Sequence, residues 1–161
     1  MTVARTLNIN VAFHCTHDAS DNTFGGTASY AQAGSTPEMG NVVDSDGTIH
    51  LDRAAAFDPH AYSENVDIYF TLATPAVVMP GGTTTPVQWA TVYGQGMHVT
   101  VPDGGSSNEF QVQAVAGQPN VILIKDNDDD SNTYNYKPAV ELTDHAHYYI
   151  SLDPKIVNRP A

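Results

Sequence analysis

The sequence predicts an all-β fold: a single antiparallel β-sandwich, Ig-like or jelly-roll-like, of about eight or nine short strands with long loops. Three observations carry this. Apolar residues alternate with polar ones at period two in several separate segments. Gly, Pro, Asn and Asp clusters interrupt these segments at spacings typical of strand–turn repeats. Charged residues make up only 15% of the chain, so Thr, Ser, Asn, Gln and Gly must build most of the polar surface. That composition suits strands and turns better than helices, whose exposed faces are usually rich in Glu, Lys and Arg. The 161 residues match one domain, 1–161, with no need for a second core.

The first strand is read from Leu7, Ile9, Val11 and Phe13, which alternate with Asn8, Asn10 and Ala12. Over residues 16–46 the alternation collapses into Ser, Thr, Asn, Gly and Ala. This stretch is expected to be a long functional loop or to hide irregular short strands, with Thr48–Leu51 as one further short strand. Residues 52–65 contain Arg53-Ala54-Ala55-Ala56, the only helical signal, but Asp58-Pro59 limits it to one turn. Val66, Ile68, Phe70 and Leu72 then alternate with Asp67, Tyr69 and Thr71. Further strands are expected at Val87–Val92, Met97–Val101 and Phe110–Ala114. Val121-Ile122-Leu123-Ile124 is a continuous apolar run, which reads as a strand covered on both faces. Tyr134–Leu142 and Tyr148–Leu152 complete the series, with a short terminal strand at Ile156-Val157. Trp89, in mid-chain, is expected to be a buried anchor between sheets.

The charge balance narrows the partners. Six Lys and Arg against 18 Asp and Glu give a net charge of −12, which repels phosphate backbones and anionic headgroups. Nucleic acid and membrane insertion are therefore excluded as expectations, and cations are favoured. One cysteine, Cys15, rules out an internal disulfide. The first residues lack a signal-peptide h-region, so the protein is expected to be soluble, and either cytoplasmic or exported with its signal absent from this sequence.

The run Asp126-Asn127-Asp128-Asp129-Asp130-Ser131-Asn132 is the most distinctive local feature. Asp126, Asp128 and Asp130 are spaced so that alternate carboxylates can converge on calcium, which wants six to eight oxygens. The EF-hand pattern fails, because Ser131 stands at the glycine position and Lys137 at the final glutamate position. Further ligands would have to come from Asp103 or Asp144. The sequence favours the plainer reading, a solvated hairpin loop that protects a strand edge.

Two histidine clusters stand at His14-Cys15-Thr16-His17 and His145-Ala146-His147. Residues two apart in a strand share a side, so His145 and His147 can chelate one transition metal, as can Cys15 and His17. A blue-copper site is rejected: its cysteine sits late in the chain with His and Met close behind, and here the only cysteine is residue 15. No nucleophile elbow, phosphate loop or H-E-x-x-H motif is present, so an enzyme is not expected. Tyr134 and Tyr136 alternate onto one strand face and Tyr148 stands beside Tyr149. Exposed tyrosines suit sugar faces or protein partners, while tyrosine as an ordinary strand former is favoured.

The closing residues Tyr134-Asn135-Tyr136, Val140-Glu141-Leu142 and Tyr148-Tyr149-Ile150-Ser151-Leu152-Asp153-Pro154-Lys155-Ile156 resemble the end of the small bacterial AidA/PixA inclusion-body proteins. Val87-Gln88-Trp89 is similar to that family's mid-chain Trp strand. The similarity covers the last quarter of the chain. Leu152 departs from it, standing where the family tends to have an aromatic before the D-P pair. The resemblance implies a non-catalytic, self-associating bacterial protein and supplies no site residues. The leading expectation is therefore binding or self-assembly as a homo-oligomer. A calcium-dependent module, for carbohydrate or a protein ligand, and a metal-dependent enzyme using the histidines are the alternatives.

Overall fold

The structure, a computed structural model, describes residues 2–18, 23–73, 76–78, 84–89, 97–100, 110–127, 133–142, 149–151 and 155–157. Among these the chain is built of strands, with a single 3-10 turn at Leu51–Arg53. The turn falls at the start of the segment where Asp58-Pro59 restricts helix, and it ends at Ala54 in extended conformation.

A five-stranded sheet has the order β2-β1-β4-β9-β8. Its strands are β1 (Val3–Asp18), β2 (Thr23–Thr36), β4 (Tyr62–Leu72), β8 (Phe110–Val115) and β9 (Gln118–Asp126). The stretch expected to be a long loop or to hide irregular short strands is, among its described residues, largely long regular strand. β1 and β2 form one antiparallel hairpin from Thr6↔Thr36 out to Asp18↔Thr23. Small residues such as Gly25, Gly26 and Ala28 dilute the period-two signal without preventing backbone pairing, so the strand is invisible to an alternation test. The sheet is also mixed where an antiparallel one was expected. After the hairpin, residues 37–61 carry the chain back to the other side of β1, so β4 runs parallel to it.

The remaining strands pair around β10 (Thr133–Leu142). They are β3 (Ile49–His50), β5 (Ala76–Val78), β6 (Thr84–Trp89), β7 (Met97–Thr100), β11 (Tyr149–Ser151) and β12 (Lys155–Val157). β6 and β7 pair with β10, as do β11 and β12. β5 extends the array beyond β6, and β3 runs parallel to β12.

The core follows from register. Paired residues project from the same side of a sheet, so the alternating apolar positions stack into cross-strand rows. Leu7, Ile68 and Ile124 form one row, and Ile9, Phe70 and Ile122 the next. All six are essentially inaccessible to solvent. Met39, Val42, Ile49, Leu51 and Trp89 complete the same cluster from residues 37–53 and from β6. Trp89 is an anchor as expected: its indole N–H donates to the Asn120 carbonyl at 2.9 Å, tying β6 to β9. Val121 and Leu123 are also buried, on the opposite side of β9, so the continuous apolar run is covered on both faces.

Two turns depend on glycine. Gly117 closes the β8–β9 hairpin with φ 74°. Gly47 has φ 93°, and a Cβ there would lie 2.6 Å from the Tyr30 ring. The ring packs directly beneath the turn, and the Tyr30 N–H donates to the Ser45 carbonyl at 3.1 Å. Gly47→Ala is therefore expected to destabilise by about 1–3 kcal/mol, combining left-handed strain with displacement of a buried ring. Thermal unfolding of the variant checks this, and an unchanged midpoint would show that the turn relaxes freely.

Candidate functional site

A bulge shapes one end of the five-stranded sheet. Val3 pairs with Tyr62 but Arg5 pairs with Val66, so β4 carries two extra residues between the paired positions. Such irregularities re-aim side chains and backbone groups. Here the Glu64 carbonyl accepts a hydrogen bond from Arg5 Nη2 at 2.5 Å. The preceding turn is held by Asp58. Its carbonyl accepts from the Ala61 and Tyr62 amides, and its carboxylate accepts from the His60 amide at 2.9 Å.

Together these elements enclose an open cleft of about 430 Å³, lined by Thr2, Phe57, Pro59, Tyr62, Ser63 and Glu64 among others. The size falls within the range of small-ligand sites. The Arg5 guanidinium lies 4.3 Å from the centre of the Phe57 ring, which fixes the ring as part of the cleft wall. Val3, beside Tyr62 in the register, is the large apolar residue most open to solvent among the described residues, at 58%.

Arg5 is almost wholly buried, and so is Asp126. Register explains their relation. Arg5 pairs with Val66, and Val66 pairs with Asp126. The opposite charges thus stand on one face of one row, with Val66 between them and Cα atoms about 10 Å apart. The row thus carries one buried group of each sign on the same face of the sheet.

A second polar cluster lies where residues 42–52 cross the core. His50 Nε2 is 2.9 Å from Asp44 Oδ2, and Nδ1 is 3.6 Å from Asp52 Oδ1. The Asp46 carboxylate accepts from the Thr48 amide at 2.9 Å. That bond, with one to the Thr48 side chain, holds the Asp46 carboxyl below its ordinary pKa. Burial, reinforced by the Asp46 charge, pushes the Tyr30 phenol well above its own. These interactions order the turn over Tyr30. Among the described residues no group of three His, Cys, Asp or Glu side chains is arranged to hold a metal ion.

Of the residues singled out by sequence for calcium, Asp126 ends β9 with its side chain on the buried face, and Asn127 follows it. Asp128 and Asp130 lie outside the described residues, as do His145, His147 and Tyr148. Tyr134 and Tyr136 occupy β10 positions opposite Ile156 and Val99. Cys15 and His17 stand in β1 opposite Gly26 and Phe24.

Sequence reasoning missed the cleft. Its parts come from three separate stretches, and no motif joins them. A signal for the buried charges near it existed, however. Running the period-two register back from Leu7 lands on Arg5, and running it forward from Ile124 lands on Asp126. Charges at inward positions of buried strands mark a paired site or a special end of the sheet.

No family model matches the chain, and no curated protein is detectably similar to it. No helix among the described residues is long and apolar enough to cross a membrane.

Proposed function

We propose that the protein is a non-catalytic β-sandwich that works by self-association, in which the strands around β10 form the second layer over the five-stranded sheet. The observation that carries this reading is the edge strand β8. Among the described residues it is the last strand of the five-stranded sheet, and Phe110–Val115 contains neither a charged residue nor proline. Uncharged, proline-free edges are templates for another strand. The other edge, β2, is already met by Ser45 at Tyr30, and the Gln32 side chain bonds Gly40 and Val42.

The partner that fits β8 is a second copy of the chain. Across a twofold axis β8 meets itself antiparallel, bringing an uncharged segment of an otherwise strongly acidic molecule to the contact. The resemblance of the closing segment to the AidA/PixA inclusion-body proteins supports the same reading.

Analytical ultracentrifugation tests it. The chain should associate with rising concentration, and more strongly at higher salt as repulsion between acidic copies is screened. Gln111→Glu/Gln113→Glu should shift the population to monomer with an unchanged circular dichroism spectrum, because like charges would meet across the axis. Position 111 pairs with Lys125 within the sheet, so the fold tolerates the first substitution. A strict monomer at high concentration, or association unaffected by the double substitution, would overturn the assignment.

A further inference from the structure

We propose that the Asp58–Pro59 bond is a self-cleavage site, cut when the Asp58 carboxyl attacks its own backbone carbonyl carbon. Three features of the turn favour that reaction. The Asp58 carboxylate accepts from the His60 amide at 2.9 Å, so the side chain lies alongside the Asp58–Pro59 peptide. The Asp58 carbonyl oxygen accepts from two amides, that of Ala61 at 3.1 Å and that of Tyr62 at 2.9 Å. Paired N–H donors on one oxygen are the arrangement that stabilises the oxyanion in acyl transfer. The departing nitrogen belongs to Pro59, which leaves as a secondary amine and is more readily protonated than the primary amine of any other residue.

The sheet fixes the two donors. Tyr62 opens β4, and the Ala61 carbonyl accepts from the Val3 amide of β1 at 3.1 Å. The Asp58 oxygen moves little as its carbon becomes tetrahedral, so both donors stay within reach. Asp58 and Pro59 are exposed, so water reaches the bond. The carboxyl oxygen forms a bond to the Asp58 carbonyl carbon, and the carboxyl proton passes to the Pro59 nitrogen. The C–N bond breaks, leaving a five-membered cyclic anhydride on Asp58 and a free amine on Pro59. One water then opens the anhydride to two carboxyl groups. The products are chains 1–58 and 59–161. Pairing of β1 with β4 and of β3 with β12 spans the cut, so the two pieces stay joined. Each chain is cut once, which is processing and not turnover.

Incubation of the folded chain in mildly acidic buffer, followed by intact-mass spectrometry and N-terminal sequencing, tests this. Asp153-Pro154 carries the same dipeptide outside the described residues and serves as the internal reference. A chain beginning at Pro59 should appear at least about tenfold faster than one beginning at Pro154, because oxyanion donors accelerate acyl transfer by that much or more. In urea the two bonds should be cut at similar rates, since unfolding removes the donors. Hydroxylamine added to the folded chain should trap the anhydride as a hydroxamate on Asp58. Asp58→Asn keeps an acceptor for the His60 amide, and Pro59→Ala keeps the nucleophile. Each should abolish the cut with an unchanged circular dichroism spectrum. Equal rates at the two bonds in the folded chain, a rate at Asp58 that urea leaves unchanged or raises, or a cut that persists in Asp58→Asn would overturn the proposal. None of these outcomes depends on whether the chain self-associates through β8.

Discussion

Replacing Phe70 by alanine is expected to lower stability by about 3–5 kcal/mol and the melting midpoint by roughly 6–20 °C. Phe70 is fully buried and central to the row Ile9–Phe70–Ile122. Strands flank it on both sides, and strands held by hydrogen bonds cannot close in to fill the space left by a ring. The cost is thus transfer free energy plus a cavity that persists. Urea unfolding of Phe70→Ala beside Phe70→Leu measures it. Leucine should recover most of the loss, and a loss under about 1 kcal/mol for alanine would mean that the core collapses around the site.

Removal of one buried charge should be comparably damaging. Arg5→Met is expected to cost about 3–5 kcal/mol, because Asp126 would remain buried without the cation that shares its row. The variant also strips the backing from Phe57 and the donor from the Glu64 carbonyl, so the cleft should loosen at the same time. Arg5→Met/Asp126→Leu should recover most of the stability, since two apolar residues of similar size suit a row that lies next to the buried row Leu7–Ile68–Ile124. A double-mutant cycle by chemical denaturation reads the coupling. Additive effects of the two single substitutions would show that the charges do not balance one another.

These expectations mark how far the linear chain could be read. Val66, Ile68, Phe70 and Leu72 declare their strand because alternate side chains of a β-strand point to opposite faces, and the core demands the same sign at each second position. Leu7, Ile9 and Val11 do the same, and Trp89 proved to be the anchor that its position suggested. The second strand was different. Thr23–Thr36 is mostly Gly, Ala, Ser and Thr, residues whose small side chains carry little burial contrast, so its pairing is determined by the neighbouring backbone and not by its own pattern.

The direction of β4 was equally hidden. Whether a strand runs parallel or antiparallel depends on which side of β1 the chain returns to after residues 37–61, and no local composition records that choice. Asp126 shows the same limit from another side. In the sequence it begins an acidic run and reads as a cation ligand. In the fold it is the last inward position of β9, in one row with Arg5, more than a hundred residues away.

By itself, then, the sequence determined the all-β character, the inward positions of β1, β4 and β9 and the acidity of the surface, because periodicity and charge are local properties that survive in one dimension. Only the tertiary structure decided the mixed order of the sheet, the burial of Arg5 and Asp126 in one row, the uncharged edge at β8 and the cleft at the β4 bulge. Each of these is a juxtaposition of distant segments. Its energy comes from desolvation and contact between groups that only the closed fold brings together.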